Sequence, residues 1–167
     1  YHMRSPLIAT LGLLAGAVTM LGLSLPSVAS AAACTPTNTV MYVVAHQDDT
    51  LLFQNPDMQT DIMSGKCVTT VFLTAGEAGR SEASGYRAAR EQGAMAASAH
   101  MAGFSTSSTW TTGDAGISGH SVPMMTLDAN PKIKLVFLRL PDGGVSGGGL
   151  GYNNESLQKL WQGTIAT

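Results

Sequence analysis

Three apolar, β-branched runs, Val40–Val44, Val68–Leu73 and Ile133–Leu140, constrain this chain more than any other feature. Runs of that kind read as strands covered on both faces, which is the usual condition of strands in a parallel sheet. On this reading Thr39–Ala45 is a buried strand. Between the first two runs, Pro56–Ser64 is a short helix candidate closed by Gly65. Tyr86–Met101 is the best helix candidate, with alanines throughout, Glu91 in its early turns and Gly103 just past its end. Ser105–Gly119 is rich in Ser, Thr and Gly and is expected to be mostly loop, with a short strand near Trp110. Gly143–Gly151 is a second glycine-rich loop, and Glu155–Gln162 begins a helix. Strands alternating with helices predict an α/β fold with a mostly parallel sheet and right-handed crossovers.

Ligands of such sheets bind beyond the carboxyl ends of the strands. Polar groups follow each run: His46, Asp48 and Asp49 the first, Thr74–Glu77 the second, Pro141–Gly143 the third. All three groups are therefore expected on one rim. If the first strand extends through the polar cluster, alternation puts His46 and Asp48 on one side and turns Asp49 away. Imidazole and carboxylate are both zinc ligands, and a carboxylate outside the coordination shell can act as a base toward metal-activated water. This combination points to hydrolysis.

Ala45-His46-Gln47-Asp48-Asp49-Thr50 resembles the Ala-His-Pro-Asp-Asp-Glu motif of the LmbE/PIG-L family of zinc-dependent de-N-acetylases. Further pieces follow in that family's order: Phe72–Gly79 after the second strand, Arg90-Glu91 in a helix ending at Met101-Ala102-Gly103, and Leu138–Gly143 after a later strand. The resemblance covers roughly residues 38 to 163. It implies a Rossmann-like three-layer fold, a Zn2+ cofactor and an N-acetylated sugar or glycoconjugate substrate of the N-acetylglucosamine type. It also implies that His46 and Asp49 are zinc ligands, that Asp48 is the general base, and that Glu77, Arg90 and Asp142 contact the sugar. Arg87 competes with Arg90 for that assignment.

Two residues depart from the motif. Gln47 replaces proline, where only a stiffened loop is expected to be lost, and Thr50 replaces glutamate, removing a carboxylate near the metal. The family's third zinc ligand is a histidine well past the Leu-Pro-Asp-Gly run; none follows here, and it is expected beyond Thr167, the sheet being incomplete at that end. Of the remaining histidines, His100 reads as a helix-end side chain near the last carbonyls, His120 as a solvent-facing loop residue, and His2 precedes Met3.

Arg4, the apolar stretch Leu7–Leu25, Pro26 and the small residues Ala29–Ala33 follow the order of a secretory signal peptide, with cleavage after Ala31 or Ala33. The apolar run approaches the ~20 residues of a membrane span, but Pro26 and the alanine cluster favour removal, leaving no stable span. Residues 1–33 are thus set apart from a deacetylase domain of residues 34–167, long enough for one core. Export makes a disulfide between Cys34 and Cys67, the only cysteines, the expected pairing. It would close a loop contributing ~3 kcal/mol in the chain-entropy model. The alternative is lipidation at Cys34. A net charge of −2 with 12% charged residues offers no basic stripe for nucleic acid, and 19 glycines suit a loop-rich secreted protein.

Three other readings compete. Gly144-Val145-Ser146-Gly147-Gly148 satisfies the Gly-x-Ser-x-Gly pattern of a serine hydrolase but lacks the immediately following helix of a nucleophile elbow. A secreted carbohydrate-binding or inactive relative would keep the fold without productive zinc. Asp49 before Leu51-Leu52-Phe53 could instead cap a helical turn, which accounts for one aspartate and not for three polar groups together.

Overall fold

The structure, a computed structural model, describes residues 33–149 and 151–165. The proposed signal segment lies outside them apart from Ala33. Strands β1 (Thr39–Val44) and β2 (Cys67–Thr74) pair in parallel, and β2 pairs in parallel with β5 (Ile133–Leu140). Between β2 and β5 come β3 (Trp110–Asp114) and β4 (Pro123–Leu127), which run antiparallel and give the sheet order β1-β2-β5-β4-β3. The fold is α/β, with a mixed sheet whose centre is parallel. The antiparallel hairpin was not expected from sequence: β4 opens on a proline and reads Pro-Met-Met-Thr-Leu, without the β-branched signature of the other strands.

Helices α1 (Asp49–Leu52), α2 (Asp57–Met63), α3 (Tyr86–Met101) and α4 (Leu157–Trp161) complete the elements. Helix α3 ends in a Schellman arrangement: Gly103, at φ +79°, donates its N–H to the carbonyl of His100, and Phe104 donates to Ala99. Residues Met58 and Ile62 of α2, four apart, share one core with Ala99 and Met101 of α3 and with Val68, Leu127 and Ile133 of the sheet. A second cluster joins Val44, Phe72, Ala94, Leu135 and Phe137, where the rings of Phe72 and Phe137 stack at 5.1 Å. Helices α2 and α3 thus cover one face of the sheet.

Strand β1 departs from the sequence reading. It stops at Val44, and its residues alternate in exposure, with Met41 62% and Val43 54% exposed. The apolar run predicted cover on both faces. Here β1 stands at the end of the sheet order, and among the described residues helices pack only on the Tyr42 and Val44 side.

Two bonds fasten β1 to its surroundings. Cys34 is joined to Cys67, tying the segment before β1 to the start of β2 across 33 residues. The Tyr42 hydroxyl donates to Asp61 at 2.8 Å, and Lys66 Nζ donates to the same carboxylate at 2.7 Å. Burial, and then the bond to Asp61, push the Tyr42 phenol up to about 12; the Lys66 and Tyr42 hydrogen bonds hold Asp61 below its ordinary value.

Replacing Cys34 and Cys67 with serine is expected to lower unfolding stability by roughly 3–4 kcal/mol, the chain-entropy value for a loop closed across 33 residues. Chemical denaturation with and without reductant measures it; equal midpoints for parent and variant would remove the disulfide from the account of stability. A phenol raised in the folded state stabilises fully below pH ~10 and loses that contribution as pH rises toward 12. Tyr42→Phe should therefore flatten the fall in urea midpoint between those limits, besides costing about 1 kcal/mol for the lost hydrogen bond.

Candidate metal centre

Because β1 ends at Val44, the polar cluster lies in the turn from β1 into α1, not on a strand. The alternation that set Asp49 apart from His46 and Asp48 does not apply. The turn folds the three side chains together: Asp49 N–H donates to the His46 carbonyl at 3.3 Å, and the backbone N–H of His46 donates to Asp49 Oδ2 at 2.9 Å. One ligand atom from each of His46, Asp48 and Asp49 lies within 4.8 Å of the others. His46 Nδ1 stands 3.9 Å from Asp49 Oδ2. Capping does not account for the aspartates, since Asp48 occupies the N-cap position of α1 without a side-chain capping bond. One imidazole and two carboxylates in this compass suit zinc.

The second group reaches the rim from the end of β2. Gly76 takes φ +58°, and a Cβ there would stand 2.2 Å from Gln47 Oε1 and 2.9 Å from an Arg90 guanidinium nitrogen. Gln47 is buried and donates from Nε2 to the carbonyls of Thr74 and Ala75. It is therefore a clamp between the first turn and the end of β2, and not the passive loop residue expected of a proline replacement. Thr50 is likewise buried, inside α1.

Of the two competing arginines, the structure brings Arg90 to the cluster. Its guanidinium donates to Asp48 Oδ1 and, at 2.7 Å, to the carbonyl of Gly76. Arg87 instead pairs with Glu82 and with Glu91. A cleft of about 200 Å³ opens beside this pair, lined by Gln47, Asp48, Leu51, Arg90, Gly93 and Ala94.

Glu77 has a different place from the one its resemblance implies. It is 1% exposed, and its two oxygens accept the backbone N–H groups of Asp142 at 3.0 Å and Gly143 at 2.8 Å. With both oxygens so engaged, the carboxylate holds the loop after β5 and does not face the cleft as a sugar contact would. Asp142 itself reaches His46: its Oδ1 lies 3.2 Å from His46 Nε2. His100 and His120 are exposed and stand outside the metal-capable group, and His2 lies outside the described residues. Ser146 sits in a loop of turns, and the next helix, α4, begins only at Leu157, so no nucleophile elbow forms around it.

Sequence reading missed the support behind Arg90. Arg139, at φ +57°, sends Nε and a terminal nitrogen to the two oxygens of buried Glu91, each at 2.8 Å, and Glu91 also accepts from Arg87. Glu82 takes bonds from Arg87 and from the Tyr152 hydroxyl, which pull its carboxyl down to about 2. Burial, followed by the bond to Glu82, lifts Tyr152 to about 12. Arg139 is 48 residues from Glu91 and Tyr152 is 70 from Glu82, and no local pattern links those pairs.

The family model described as GlcNAc-PI de-N-acetylase, PIG-L, matches residues 41–166. No curated protein and no solved structure matches the chain. The match takes in β1 from Met41 onward, the His46–Asp49 turn, helix α3 and the Asp142 loop, the elements that build the rim. The chain belongs to the PIG-L family of LmbE-like de-N-acetylases.

Proposed function

We propose that this protein hydrolyses the N-acetyl group of an N-acetylglucosamine-type sugar or glycoconjugate, with zinc held by His46 and Asp49 and with Asp48 as general base. The observation that carries the reading is the closure of His46, Asp48 and Asp49 within 4.8 Å in a chain of this family. When bound, zinc supplies the Lewis acidity that makes water nucleophilic near neutral pH. Arg90 anchors Asp48 at one oxygen, so the carboxylate is oriented before substrate arrives, as efficient proton transfer requires. Asp48 accepts the proton of the attacking water as the bond to the acetamide carbonyl carbon forms. It returns a proton to the amine as the C–N bond breaks, giving acetate and a free amino sugar. The cleft between Asp48 and Arg90 receives the sugar beside the acetamide.

Export is the second part of the proposal. The charged, apolar and small-residue order of residues 4–33 supports a cleaved signal peptide, and the Cys34–Cys67 disulfide suits an oxidising compartment. No helix among the described residues is long and apolar enough to cross a membrane.

Asp48→Asn should lower kcat on an N-acetylglucosamine substrate by 10²–10⁴-fold, the usual contribution of a general base, while zinc uptake persists. Free-amine release and metal analysis on the same samples check both. Chelation should abolish the parent's activity and added zinc restore it. A protein that takes up no zinc and releases no amine would instead be a carbohydrate-binding or inactive relative. N-terminal sequencing of protein from the medium should begin at Ala32 or Cys34; an uncleaved Tyr1 or Met3 would end the export proposal.

A further inference from the structure

We infer that Asp142 is a positioning residue for His46 and not a sugar contact: it fixes which imidazole nitrogen faces the metal, and Glu77 in turn fixes Asp142. The inference rests on the metal-site reading above and assigns the two ring nitrogens separate tasks. His46 Nε2 points at Asp142 Oδ1, 3.2 Å away, while Nδ1 points toward Asp49 Oδ2 at 3.9 Å. The group able to hold a metal comprises His46, Asp48 and Asp49 and leaves Asp142 out, so Asp142 lies on the side of the ring away from the other donors. In a neutral imidazole one nitrogen carries a proton and the other a lone pair. A carboxylate on Nε2 holds the proton there and leaves the Nδ1 lone pair facing Asp49. Metal-binding histidines commonly have such an outer carboxylate, which sets the tautomer and the ring orientation.

The carboxylate is itself held in place. Asp142 follows β5 in a loop whose N–H groups at 142 and 143 are both bonded to Glu77. Glu77 is only 1% exposed, and a carboxyl group so buried is tolerated only when its oxygens are hydrogen-bonded, as both are here. Gly143 takes φ +93°, and a Cβ there would come within 2.6 Å of Ser156 Cβ and 3.2 Å of the Gly147 backbone, so the loop has little freedom to withdraw. The path Glu77, loop backbone, Asp142, His46 links the ends of β2 and β5 to the turn after β1.

The test is zinc affinity of the full chain, by competition with a chromophoric chelator, for the parent, Asp142→Asn and Glu77→Gln, with KM and kcat on the same preparations. Circular dichroism checks that each is folded. Asp142→Asn is expected to weaken zinc binding 10–100-fold, to lower kcat when zinc is limiting, and to leave KM unchanged at saturating zinc. Cobalt-loaded parent and variant should show the same visible bands, because the ligands themselves are retained; Glu77→Gln should weaken zinc in the same direction. Unchanged zinc affinity with a raised KM would make Asp142 a substrate contact and overturn the inference. Altered cobalt bands would make Asp142 a ligand and overturn it equally. A parent that binds no zinc defeats the metal-site reading and this assignment with it, whereas a parent that binds zinc as tightly as Asp142→Asn defeats the assignment alone.

Discussion

Parallel pairing of β1, β2 and β5 is the constraint on which the site depends. Partners Val44, Phe72 and Phe137 lie level across the three strands, so the chain leaves all three near the same height. A parallel ladder demands long crossovers, and these return the chain to the amino end each time. The polar residues after each strand therefore gather at one rim although they lie as far apart in sequence as His46 and Asp142. The stacked Phe72 and Phe137 rings sit just beneath that rim, and large-to-small changes in such a core usually cost several kcal/mol. The apolar packing and the polar site are two ends of the same strands.

What was legible in the sequence was local. The His46–Asp49 cluster, the helix Tyr86–Met101 and the strand Ile133–Leu140 each carry their signal within a few residues. The conformation of the cluster was not legible, because one residue more or fewer of strand decides whether alternation or a turn sets its side chains. The exposure of Met41 and Val43 escaped notice for a related reason: an apolar run reports what a strand can bury, and its place at the end of the sheet order decides what it does bury. Choosing between Arg87 and Arg90 required knowing which side of α3 meets the turn after β1, and the role of Glu77 required knowing where the β5 loop returns. Neither is written in spacing along the chain.

The charged groups around the site form two systems of different character. Arg90, Asp48 and the Gly76 carbonyl make up a small set open to the cleft. Glu91 with Arg87 and Arg139, together with Glu82 and Tyr152, makes a larger brace that fastens α3 to β5 and to the loop before α4. A buried carboxylate with two arginine partners is strongly destabilising to disrupt, because the loss of either partner leaves charge uncompensated. The brace sets the position of α3, and α3 carries Arg90.

Gly76 draws two of these parts into one steric constraint. A Cβ at this position would run into both the Gln47 amide and the Arg90 guanidinium, and the backbone angle is one that side chains rarely adopt. Position 47 is where the family motif carries proline, a shorter residue with no amide to place there. Substitutions at 47 and 76 are therefore sterically coupled: with glutamine at 47, any side chain at 76 must displace the amide or the arginine that holds Asp48.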